Sequence, residues 1–273
     1  PLMGDDVAAV SRIAQPAHVP IISFSNDGAV AGHDVFIMGS LPSQSIGRTV
    51  TYAREQGIKR FAALIPEGEY GLRAVAALNS AVVARGGTFV GAITYARSNT
   101  SIISAAQRLK AKGGFDAVLI ADGGRFAIQA APKLRTPGTP PPRLLGTELW
   151  SGDTLTATSP VLRGSWYSAL SDGRFSRFAD SYKARFGAAP YRISTLGYDA
   201  VLLTLRVARD WKPGTLFPTE QLYDPQGFIG IDGPLRFAGN GVVERAFDVV
   251  ELRANGAAVV SAAPSSFSNS SGN

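Results

Sequence analysis

Four short polar clusters hold the side chains best suited to ligand chemistry: Ser25-Asn26-Asp27, Glu69-Tyr70, Asp122 to Arg125, and Glu148 to Trp150. Together they supply hydroxyl donors, one or two aromatic faces and a carboxylate, a set that suits a small polar or zwitterionic ligand. Each residue alone is ordinary. Tyr70 reads equally as a wedge under its loop, Trp150 as a core plug, and Glu148 as an acid at a helix N-terminus. Asp5-Asp6 is a further acidic pair, and adjacent carboxylates there suit a helix start. The clusters gain joint meaning from position, because each follows an apolar run that reads as a strand. If those strands share a sheet, the clusters ring one crevice at its carboxyl edge.

Other chemistries lack their residues. The chain has no cysteine, which excludes disulfides, thiolate metal sites and cysteine nucleophiles. His18 and His33 are the only histidines and lack the i, i+4 spacing of a metal pair. No G-x-S-x-G elbow and no G-x-x-x-x-G-K-[ST] phosphate loop occurs. Asp122-Gly123-Gly124 follows a strand but lacks the full G-x-G-x-x-G. No cofactor or metal is therefore called for, and nothing marks an enzyme. The net charge of +6 is scattered; its densest group, Arg108, Lys110 and Lys112, suits a helix C-terminus rather than nucleic acid. No apolar run approaches the length of a membrane span.

The elements that must position these clusters are clearest from residue 60 to 150. Phe61 to Ile65 is a short apolar run that suits a strand covered on both faces. Pro66 stops it, Glu67-Gly68-Glu69 turns, and a helix with Leu72, Val75, Leu78 and Val82 on one stripe runs to Gly86-Gly87. Thr88 to Tyr95, Phe115 to Ala121 and Arg143 to Thr147 read as three more strands, with helices over 102–112 and 125–134 between them. Pro132 is expected to end or kink the second helix. The order β-α-β-α-β-α-β predicts a parallel, doubly wound α/β lobe. Upstream, Val19 to Ser25 and Val35 to Gly39 read as strands, and Ser43 or Ser45 caps a helix to about residue 56. Downstream come a strand over 164–169, helices over 174–186 and 194–210, and a hairpin. Its arms, Gly233 to Phe237 and Val242 to Leu252, flank Gly239-Asn240-Gly241. Residues 263–273 are Ser- and Asn-rich and are expected to form a disordered tail.

The succession PLMGDDVAAV, VPIISFSND, GIKRFAALIPEGEYG, FDAVLIADGG, LLGTELW and RISTLGYDAV resembles type I periplasmic binding proteins, in particular the leucine/isoleucine/valine-binding group of solute receptors for ABC transporters. SFSND, EYG and GTELW are also similar to the branch of penicillin-binding-protein activators, lipoproteins that regulate peptidoglycan synthases. The resemblance implies two α/β lobes joined by three crossovers and closing on a ligand, with no enzymatic activity. The crossovers are expected near Gly39–Ser43, Ser165–Leu170 and Gly227–Gly233. That gives one lobe from 1–42 and 166–227, a second from 43–165 and 228–262, and a first lobe short of about two strand–helix units before Pro1. Gly4, Asp5 and Ser25 to Asp27 match positions that bind a ligand carboxylate, although Gly4, Asp5 and Asp27 depart from the family pattern. Glu148 matches the acid that grips a ligand amine, Tyr70 an aromatic wall, and Arg125 the place of a second aromatic; Trp150 joins the set. The implied partner is an ABC permease or, for the activator branch, a peptidoglycan synthase. The implied location is the periplasm, with a lipid anchor through a segment before Pro1.

Overall fold

The computed structural model describes every residue except Pro213 and 268–273. The chain divides into two compact units. Unit 1 comprises Pro1–Leu41, Leu170–Ala246 and the segment from Ala263 onward; unit 2 comprises Pro42–Ala169 and Phe247–Ala262.

In chain order, unit 1 opens with α1 (Gly4–Ala14), β1 (Ile21–Ser23) and β2 (Val35–Ile37). Asp5 and Asp6 sit in the first turn of α1, where Asp6 accepts the Met3 N–H at 3.4 Å. β1 is shorter than the predicted run because its flanks bond elsewhere. Phe24 N–H donates to Pro1 O at 2.9 Å and Ser25 N–H to Ser23 Oγ at 3.1 Å. β1 and β2 form a separate parallel pair, so the cluster after β1 does not share a sheet with the other three.

Unit 2 follows with α2 (Pro42–Glu55), β3 (Arg60–Pro66), α3 (Glu69–Ala84), β4 (Thr88–Tyr95), α4 (Asn99–Lys112), β5 (Ala117–Ile120), α5 (Gly124–Leu134), β6 (Arg143–Leu145), α6 (Thr154–Thr158) and β7 (Trp166–Ala169). Helix α5 continues past Pro132 and ends two residues later. Unit 1 then resumes with α7 (Phe175–Phe186), α8 (Ser194–Val207), β8 (Phe228–Gly230), β9 (Gly233–Phe237) and β10 (Val243–Arg245). Unit 2 closes with β11 (Asp248–Arg253) and β12 (Gly256–Ser261).

The sheet of unit 2 has seven strands in the order β12-β11-β7-β6-β5-β3-β4. β4 through β7 are parallel, as the alternation of strands and helices predicts, and β11 runs antiparallel to both β7 and β12. The continuous apolar runs follow from burial on both faces. Ala62 and Leu64 of β3 pack with Ile102, Leu109, Ala127 and Ala130 of α4 and α5. Phe61, Ala63 and Ile65 pack with Ile46, Val50, Ala74 and Leu78 of α2 and α3. Each large side chain so buried contributes about 1.5–3 kcal/mol.

The third passage between units differs from the expected one. Gly227–Gly233 folds within unit 1 as part of the β8–β9 hairpin, and the chain instead passes over between Ala246 and Phe247. The apolar run Val242–Leu252, predicted as one strand, is two: β10 pairs with β9, and β11 joins β7. Of the predicted tail, residues 268–273 lie outside the described residues, and Phe267 sits under the Arg236 guanidinium at 4.7 Å.

A buried ionic cluster pins unit 1 where distant segments meet. Arg192 donates to Leu170 O and Ser171 O at 3.3 and 3.2 Å, and its Nη1 lies 2.8 Å from Asp232 Oδ1, close but not aligned as a hydrogen bond. Thr195 Oγ1 donates to Asp232 Oδ2 at 2.6 Å, Ile231 N–H to Asp199 at 2.8 Å, and Arg245 to Met38 O at 2.8 Å. Asp232 is 1% exposed. Removing one partner strands the opposing charge, so Asp232→Ala is expected to cost about 3–5 kcal/mol in urea unfolding followed by circular dichroism, and Asp232→Asn less. An unchanged midpoint for Asp232→Ala contradicts this account.

Candidate functional site

At the carboxyl edge of the unit 2 sheet, the loop after each strand is fixed by local sequence. β3 stops at Pro66, and Gly71 lets the first turn of α3 pass against Pro66 O, where a Cβ would stand 1.9 Å away. That pass sets Tyr70, whose hydroxyl lies 2.9 Å from Glu148 Oε1 and 3.0 Å from Thr147 Oγ1. The second carboxylate oxygen of Glu148 accepts from Ser45 Oγ, in the first turn of α2. Thr147 holds the turn itself, its hydroxyl accepting the Leu149 N–H at 3.4 Å.

The result is a half-buried carboxylate answered by two hydroxyls and its own backbone N–H, with no cation paired to it among the described residues. Burial raises its pKa above 4.5, against the opposing pull of Ser45, its own backbone N–H and Tyr70. Burial also pushes the Tyr70 phenol upward, and the charges of Glu148 and, more weakly, Asp122 add to that push. Tyr70 therefore stays a protonated donor. A carboxylate in such a cage is suited to take an ammonium or hydroxyl donor from a ligand.

A second carboxylate stands after β5. Asp122 accepts from Gly123 N–H at 2.9 Å, from Tyr95 OH at 3.0 Å and from Arg97 Nε at 3.0 Å, and its carbonyl accepts from Trp150 Nε1 at 2.8 Å. Burial, reinforced by the Asp122 charge, pushes the Tyr95 phenol upward.

The structure brings Tyr70 and Glu148 together as predicted and separates two others from them. Trp150 is 1% exposed and packs in the core against Tyr167. Gly146 lies flush on its ring, where a Cβ would come within 2.2 Å, so Trp150 positions Asp122 and offers no ligand-facing wall. Arg125 turns to Asn99 Oδ1 at 3.1 Å, where α4 begins. In unit 1, Ser25 Oγ accepts the Asp27 N–H at 3.1 Å, and Asp27 Oδ1 accepts the Ala29 N–H at 3.0 Å, capping a short 3-10 turn. Gly4 faces this loop, with its Cβ position 3.6 Å from Asp27 Oδ2. Asn26 is half-buried in the bend between Ser25 and Asp27, and Asp5 is exposed on α1. Sequence reasoning missed Ser45, Thr147, Tyr95 and Arg97 as members of the site. Among the described residues no group of three or more His, Cys, Asp or Glu is placed to hold a metal, and no helix is long and apolar enough to cross a membrane.

The family model for periplasmic binding proteins matches residues 2–257. No curated protein matches the chain by sequence. Among solved structures, a putative branched-chain amino acid ABC transporter protein from Rhodospirillum rubrum is similar with a TM-score of 0.77 at 18% identity, over 91% of this chain and 75% of that one. A leucine-binding protein from Thermotoga maritima gives 0.72 at 16% identity over 96% and 78%. An ABC transporter solute-binding protein from R. palustris, in complex with benzoate, gives 0.71 at 17% identity over 98% and 78%. At these identities the likeness is one of fold.

The raised pKa of Glu148 has a definite sign. The folded state holds the proton more tightly than the unfolded state, so stability falls as pH rises from about 4.5 through the folded pKa, and the penalty persists above it. Glu148→Gln removes that penalty while keeping hydrogen-bonding capacity. The variant is expected to melt about 2 °C or more above the parent at pH 7.5, with the gap closing below pH 4. Thermal melts across this range check it; a variant less stable at pH 7.5 contradicts the assignment.

Proposed function

The chain belongs to the periplasmic binding protein family, and from that premise we propose that it is an extracytoplasmic solute-binding protein serving an ABC-type uptake system. The observation that carries this reading is Glu148, a desolvated carboxylate held by Ser45 and Tyr70 and left without a cation of its own among the described residues. A ligand ammonium or hydroxyl supplies the missing partner. Fold relatives named for leucine and benzoate bind small organic acids, which supports the same size and class of ligand here. We assign Tyr70 and Glu148 of unit 2 to ligand contact. Binding rather than turnover also fits the histidines, since both lie in unit 1 and His33 is 93% exposed at its side chain.

A thermal-shift screen tests this, with titration calorimetry on the hits. The panel holds leucine, leucinamide, benzoate and 3,4-dihydroxybenzoate. At about a hundredfold excess over Kd, a true ligand is expected to raise the Tm by about 5 °C or more. Glu148→Gln is expected to abolish the shift from any amine-bearing ligand, and Tyr70→Phe to reduce it. No shift from any compound tells against solute binding.

A further inference from the structure

The geometry points to Arg97 as an anion-recognising arm of the unit 2 site, so that the ligand carries a carboxylate in addition to the donor group that Glu148 takes. This rests on the solute-binding reading and adds the second charged group of the ligand.

Arg97 follows β4 and is gripped by a single nitrogen. Its Nε lies 3.0 Å from Asp122 Oδ2, and no described residue accepts from its two terminal amino groups. The Arg97 side chain is 50% exposed while that of Asp122 is only 9% exposed. The anchor itself does not move freely, because Tyr95 OH and Gly123 N–H hold its carboxylate and Trp150 holds its carbonyl. A surface ion pair contributes little and engages two mobile side chains. Here a buried carboxylate and a buried tyrosine hydroxyl are committed to orienting one guanidinium. The unpaired edge of that guanidinium presents the fork that matches a carboxylate bidentately.

The location agrees. In the sheet order β6-β5-β3-β4, the loops bearing Glu148, Asp122, Tyr70 and Arg97 leave consecutive strands at the carboxyl edge. Asp122 is close enough to Tyr70 for its charge to be felt there. The neighbouring Arg125 differs in its anchor, bonding to the Asn99 side-chain amide at the start of α4 rather than to a buried carboxylate.

The test compares isosteric probes, benzoate with benzamide and leucine with leucinamide, by calorimetry on the parent, Arg97→Gln, Arg97→Lys and a charge-matched control, Arg108→Gln. In the parent, one carboxylate is expected to bind about tenfold or more tightly than its amide. Arg97→Gln is expected to weaken that carboxylate by about the same factor and to leave the amide within about twofold. Arg97→Lys recovers part of the loss, and Arg108→Gln matches the parent. An amide bound as tightly as its carboxylate, or a carboxylate affinity unchanged in Arg97→Gln, overturns the role of Arg97 and leaves solute binding standing. Failure of the parent to bind any probe, charged or neutral, overturns both.

Discussion

Carboxylates taken out of water are the constraint on which the rest of this structure turns. An ionised group buried without partners is too costly to keep, so each such acid must gather donors from wherever the fold can bring them. Glu148 gathers hydroxyls from α2 and from the turn after β3. Asp122 gathers a tyrosine, an arginine and its neighbouring amide. Asp199 takes the Ile231 amide, and Asp232 takes Thr195 and the Arg192 charge. In each case the donor set fixes a loop that the apolar core does not reach.

The two units use this constraint differently. In unit 1 the charges are matched by opposite charges and backbone carbonyls, and the anchored segments are remote in sequence: Arg245 holds Met38, and Arg192 holds Leu170 and Ser171. These segments lie close to the points where the chain changes units, at Leu41, Leu170 and Ala246. Burial works against the Arg245 charge, lowering its pKa, while Asp232 and Asp199 support it. Such a network is a structural pin, costly to break and with little capacity left for a ligand.

How far this was legible in the sequence follows from the range of the interactions. The parallel sheet from β3 to β6 was readable because a strand buried on both faces leaves an unbroken apolar run, with a proline or glycine at its end. Tyr70 and Glu148 were readable for the same reason, since strand ends mark the edge where loops gather. Ser45 was readable only as a helix cap, because its partner lies 103 positions away and leaves no local trace. Trp150 could be read either as a core plug or as a member of the binding set, because its burial depends on the side chain that Gly146 lacks. Arg97 looked like any arginine in a polar turn. Val242–Leu252 gave no warning of its division, since an apolar run that moves from one sheet to another keeps the same period in both.

Glu148 shows why a solvent-poor acid would be kept where it weakens the fold. A lysine or arginine beside it would satisfy the charge and also fill the place that the proposed reading gives to a ligand donor. Hydroxyls hold the carboxylate in orientation, keep it hydrogen-bonded when empty, and leave its charge unanswered. The same logic separates Arg97 from the arginines of unit 1. Asp122 engages only Nε, which settles where the guanidinium points without consuming the edge that recognises oxyanions. Tyr70 remains protonated because burial, and after it the charges of Glu148 and Asp122, push its pKa upward, so the phenol stays a donor throughout the physiological range. On the proposed solute-binding reading, an acid left uncompensated on one side and an arginine left half-engaged on the other are the two charges that a small ligand carrying both signs would complete.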